Sequence, residues 1–127
     1  DDDDPTTYRQ RSNILVYRLA ETYLIAAEAI MRSSGDPLPY INAIRTRAGA
    51  AAIASVDEQA ILDERARELA FEGQRWFDLI RVNNGQYGLD FLHSIGKTNA
   101  TQKHLLFPVP QIEIDRNPKL LPQNPGY

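Results

Sequence analysis

The sequence predicts an all-α fold of paired helices closed by an irregular, Pro-rich C-terminal strap. Three observations predict it. From Ile14 apolar residues recur at three- and four-residue steps, stop and cap signals separate the periodic segments, and the final apolar segment carries five prolines and no helical period.

The first helix is expected over 14–33. Val16, Leu19, Ala20, Tyr23, Ala27 and Ile30 make one apolar stripe, and Tyr17, Leu24 and Met31 make a second. A helix apolar on two sides needs neighbours on two sides, and its alanines permit close approach. Leu19, Ala20 and Tyr23 fit the tetratricopeptide helix pattern, although Val16 stands where tryptophan is usual and no second copy follows at the roughly 34-residue period. Gly35 is the expected left-handed stop. Asp36 then reads as an N-cap, with Pro37 in the first helical position of a second helix over 37–48 that Gly49 ends. These two helices form a tetratricopeptide-like hairpin.

Ser55 and Glu58 read as a capping box for a third helix over 56–72, with a further turn or two after Gln74. Residues 83–103 are rich in Gly, Asn, Ser and Thr and read as a loop. From Leu105 the chain is apolar without a period, so it is expected to lie on something already folded. Pro108 and Pro110 hold it extended, and Asn117-Pro118 and Asn124-Pro125-Gly126 turn it.

The 127 residues suit one domain over 14–127, preceded by an acidic tail or linker over 1–13. The net charge of −3 comes from interspersed signs, leaving no basic field for a nucleic acid. There is no cysteine, hence no disulfide frame and no thiolate nucleophile or cysteine metal site. No apolar run approaches the roughly 18 residues that span a bilayer. No phosphate loop, nucleophile elbow or Ser/His/Asp set is found. His93 and His104 lack the Glu-x-x-His spacing of a di-metal site, so neither metal nor cofactor is expected.

The densest chemistry lies in Glu64 to Arg81. Glu64, Glu68 and Glu72 share one face of the predicted helix, and carboxylates pointing the same way cannot flank a substrate as a glycosidase pair does. Their repulsion calls for guanidinium partners. The expectation is a structural clamp of Glu64, Glu68, Glu72, Arg75, Asp78 and Arg81, with Arg65 and Arg67 at hand and Trp76 filling the corner. The residues offered for a ligand are Tyr87 and Tyr8, rings in polar surroundings.

Five ordered blocks, "YRLAETYLIAAEA", "INAIRTRAGA", "ILDERARELAFEGQRWFDLIR", "LLFPVPQIEIDRNPKL" and "QNPGY", resemble the C-terminal part of the SusD/RagB family. The resemblance implies a protein that is not an enzyme. It implies binding of an oligosaccharide or peptide on the cell-surface side of the outer membrane, for uptake with a SusC-like TonB-dependent transporter. Family members are several hundred residues long, so the resemblance also implies a lipid anchor outside this chain. A generic helical protein-interaction scaffold is the alternative that the residues leave open.

Overall fold

The computed structural model describes residues 16–127, so the expected tail over 1–13 lies outside the described residues. The described residues form helices and turns and no strand. The chain divides into two compact units, Asp1–Val56 and Asp57–Tyr127.

In the first unit, α1 (Leu19–Arg32) packs on α2 (Leu38–Arg47). Leu19, Ala20 and Tyr23 at the start of α1 face Ala43, Ile44 and Arg47 at the end of α2, so the pair is the expected antiparallel hairpin. Leu24, Ala27, Ile41 and Ile44 are buried, and Tyr23 meets Tyr40 edge-on with ring centroids 5.8 Å apart. The buried line of α1 differs from either stripe read in the sequence. It runs through Glu21, Leu24, Ala27 and Glu28, while Tyr17 and Leu19 remain 75% and 70% exposed. A ten-residue partner covers one strip of a longer helix, and that strip falls between the two stripes.

Both helices close with paired backbone bonds from beyond their ends. Ala50 N–H donates to Arg45 O (2.8 Å) and Gly49 N–H to Thr46 O (3.1 Å), with Gly49 left-handed at φ 71°. At the end of α1 Ser34, at φ 62°, takes the left-handed position instead of Gly35. Gly35 is needed for a different reason: a Cβ there would lie 2.7 Å from Ile30 Cγ2. α2 begins one residue later than expected, with Pro37 at its N-cap, and Asp36 Oδ1 accepts from Leu38 N–H at 3.0 Å from the position before it. After α2 the chain is held by Asn42, whose amide donates to Ile53 O (3.0 Å) and accepts from Ile53 N–H (2.9 Å).

In the second unit, α3 (Glu58–Glu68) is capped by Asp57, whose Oδ1 accepts from Ala60 N–H at 2.7 Å. The expected Ser55–Glu58 box does not form, because the helix begins late enough to put Glu58 in its first position. α3 also ends earlier than expected. Its chain turns at Leu69 and passes through Phe71 (φ 66°) and Gly73 (φ 76°), which removes Glu72 from the helix face of Glu64 and Glu68. α4 (Arg75–Arg81) follows, as the turns expected after Gln74.

Residues 83–103 are not one loop. Asn83, Asn84 and Gly85 form a 3₁₀ turn with three successive left-handed φ values (49°, 51° and 80°), and α5 (Gln86–Ser94) follows. Leu89 and Leu92 lie one turn apart on α5 and, with Trp76 and Ile80 of α4, enclose Ala100 and Leu105. Two leucines and a glycine-dependent approach suffice to order a short helix inside polar text. The strap likewise contains short helix: α6 (Gln111–Arg116) buries Ile114, and Pro118–Leu120 adds a 3₁₀ turn.

Candidate functional site

The charged segment places a carboxylate at the α3–α4 packing. Asp78, near the middle of α4, is almost fully buried, as is Arg65 of α3. Arg65 Nε donates to both oxygens of Asp78 (2.8 and 2.7 Å), and Arg81 adds donations to Oδ1 from Nε (3.2 Å) and Nη2 (2.9 Å). Two guanidiniums therefore fill the acceptor positions of one carboxylate. Glu64, also buried, accepts from Arg67 Nη1 at 2.9 Å, and Arg75 Nη1 donates to Leu62 O at 2.9 Å. Glu68 and Glu72 are half-buried. Chemically, a carboxylate with both oxygens engaged by guanidiniums is placed to hold α3 and α4 together.

Sequence reasoning set Arg65 among the arginines available to three glutamates; in the structure it turns to Asp78. The pairing spans 13 residues between two helices, and the period of α3 alone carries no sign of it. Trp76 packs against Leu89, Ala100 and Leu105 as a core residue. His93 Nε2 donates to Ala100 O (3.0 Å), and His104 Nδ1 accepts from Thr101 N–H (2.9 Å), so both rings order the turn between α5 and the strap. Among the described residues no three His, Cys, Asp or Glu side chains converge as a metal would require.

The strap is fastened by side-chain amides. Gln123 Oε1 accepts from Val109 N–H (2.7 Å) and from Asn124 N–H (2.9 Å), while Gln123 Nε2 donates to Val109 O (2.8 Å). Asn124 Nδ2 donates to Phe107 O (2.6 Å), and the Tyr127 hydroxyl donates to Lys103 O (3.3 Å) and Leu106 O (3.1 Å). Pro108 and Pro110 have no N–H and flank Val109, so one glutamine satisfies the residue between them as a strand partner would.

An open groove of about 550 Å³ lies between the pinned tail and the α4–α5 corner. Its apolar lining is Ile80, Leu105, Leu106 and Pro125; Asn84, Gln102 and Lys103 supply polar atoms, and Gly126 forms one end. Tyr87 is half-buried on α5 and is not part of this lining. Tyr8 lies outside the described residues. All three polar side chains of the groove come from residues whose composition reads as loop, which is why sequence reasoning did not group them.

A tetratricopeptide-like hairpin, a carboxylate locked between guanidiniums and a proline-rich strap pinned by amides define an all-helical scaffold with an open groove on its second unit. The chain belongs to the SusD family, whose profile matches residues 1–127. Starch-binding protein SusD of Bacteroides thetaiotaomicron is 36% identical over 121 residues, which cover 91% of this chain and 22% of that protein. SusD-like protein P2 of Formosa agariphila is 35% identical over 133 residues, covering 91% and 26%. The solved structure of B. fragilis NanU matches with a TM-score of 0.64 at 30% identity, over 88% of this chain and 26% of that one. The chain thus spans about a quarter of the length of these relatives.

Proposed function

We propose that residues 14–127 form the C-terminal helical domain of a non-catalytic protein that binds glycans at the cell surface. Residues 1–13 are an acidic tail or linker in this reading. The observation that carries this reading is the 36% identity, along 91% of the chain, to a protein named for binding starch. The site geometry supports the non-catalytic part, since Asp78 and Glu64 are engaged by guanidiniums. In this reading Glu64, Glu68, Glu72, Arg75, Trp76, Asp78 and Arg81 are structural. The ligand passes to a SusC-like TonB-dependent transporter in the outer membrane, and a lipid anchor outside this chain holds the protein on the cell-surface side. Among the described residues no helix is long and apolar enough to cross a membrane.

Calorimetric titration of the whole protein and of this chain, against a panel of oligosaccharides and peptides, tests the reading. The whole protein is expected to bind an oligosaccharide without releasing reducing ends, and this chain to bind it more weakly. Release of reducing ends, or heat from peptides alone, would overturn it.

A further inference from the structure

The groove on the second unit has an uneven chemistry. It contains one cation, Lys103, and no acidic side chain lines it, although the chain as a whole is acidic. Among the described residues no hydrogen bond engages the side chains of Asn84, Gln102 or Lys103, whereas Gln123 and Asn124 nearby are committed to backbone. Three exposed polar side chains without hydrogen-bond partners thus line one groove over an apolar floor, the mix of groups a small-molecule site uses.

Lys103 is also held. A Cβ at Gly126 would lie 2.7 Å from Lys103 Cδ, so the stem runs directly over that glycine's backbone. Its ammonium stands 5.8 Å from the centroid of the Tyr127 ring, and the Tyr127 hydroxyl is tied in turn to Lys103 O and Leu106 O. A ring face steadies a cation but takes up none of its three N–H donors. The result is a lysine whose flexible stem is fixed in advance, so less freedom is lost when an anion arrives.

We propose that this groove binds an anionic sugar unit, with the anionic substituent at Lys103 Nζ, hydroxyls at the amides of Asn84 and Gln102, and the ring's C–H face on Leu105 and Leu106. This rests on the glycan-binding reading and adds a substrate class to it. Amides both donate and accept, as a hydroxyl requires, and a lysine is a compact charge that does not demand the planar fork of a carboxylate. Carboxylated and sulfated sugars therefore share the chemistry.

The test is protein-observed NMR on the 127-residue chain with methyl glucuronide, glucose 6-sulfate and methyl glucoside as probes. Either charged sugar is expected to shift the side-chain amides of Asn84 and Gln102 and to bind about fivefold tighter than the glucoside. Lys103→Gln is expected to bring the three probes level. Asn84→Gly removes an amide while easing a left-handed backbone, and is expected to weaken all three alike. Equal affinity for charged and neutral sugars in the wild type would overturn the anionic preference and leave the glycan reading in place. No shift at these amides with any probe would overturn the groove as a sugar site, while oligosaccharide binding by the whole protein tests the broader reading separately.

Discussion

Gln123 grips Val109 by both ends of its amide, accepting from the N–H at 2.7 Å and donating to the carbonyl at 2.8 Å across 14 residues of chain. The two prolines beside Val109 leave the strap unable to form a ladder, so this single side chain substitutes for a neighbouring strand. Gln123→Ala would strand both backbone groups of a half-buried residue. The expected cost is about 1–3 kcal/mol in urea unfolding, with the tail the first part to lose protection in hydrogen exchange. An unchanged unfolding midpoint would show that water replaces the amide without penalty. Gln123→Glu is expected to fall near the alanine variant, because it keeps the acceptor but sets a carboxylate oxygen against Val109 O.

The ion pairs differ in burial, and so in expected worth. Asp78 and Arg65 have side chains only 3% and 5% exposed, whereas Arg67, the partner of Glu64, is 61% exposed. Removing one member of a buried pair leaves an uncompensated charge, so Asp78→Ala is expected to cost about 3–5 kcal/mol in chemical denaturation. Arg67→Ala is expected to cost less than about 1 kcal/mol. Comparable losses for the two would mean that the α3–α4 packing does not depend on the Asp78 centre.

The parts of this fold that were legible in the sequence are those governed by short-range rules. Steps of three and four residues marked α1 and α2, Asp36 before a proline marked a helix start, and Gly49 marked a stop. What was not legible depends on partners distant in the chain. Whether Leu19 or Leu24 is buried is decided by where α2 lies, and the meeting of Arg65 with Asp78 on the next helix is decided by the α3–α4 turn. α5 was hidden because it is short, contains a glycine and sits in Gly- and Asn-rich text, and its order comes from Leu105, which fits only because Gly85 and Gly88 lack side chains. The groove stayed hidden for the same reason, since Asn84 and Lys103 are brought together by that same packing.

Gly85 joins two requirements in one residue. Its φ of 80° is strained for any L side chain, and a Cβ would collide with Leu105 Cδ1. Gly85→Ala is therefore expected to cost about 2–4 kcal/mol, combining left-handed strain with overpacking. Gly49→Ala is the control. Gly49 is left-handed too, but a Cβ there meets nothing within 4 Å, so only the backbone part, about 1–2 kcal/mol, is expected. Adding Leu105→Ala to Gly85→Ala should cost less than the sum of the two single changes, because the clash is with that side chain. Strict additivity in thermal or urea unfolding would show that Leu105 is not what Gly85 accommodates.

Phe71 presents the opposite case, a bulky residue where a glycine would be at ease. It is fully exposed, and its φ is 66°. Its ring gains nothing from burial, and the left-handed backbone of an L residue costs about 1–2 kcal/mol. Asn visits that region more readily and adds no large gain in unfolded-chain freedom, so Phe71→Asn is expected to stabilise the chain by about 0.5–1 kcal/mol. For a chain of this size that raises the unfolding midpoint by roughly 2–5 °C, measurable by calorimetry. Ser34→Gly relieves the same strain at the end of α1, where Ser34 has φ 62°, but glycine's greater unfolded freedom offsets part of the relief. The ordering expected is Phe71→Asn above Ser34→Gly, with both at or above wild type. A Phe71→Asn chain less stable than wild type would mean that the ring makes a contact in solution, and that the turn after α3 is a surface the protein covers.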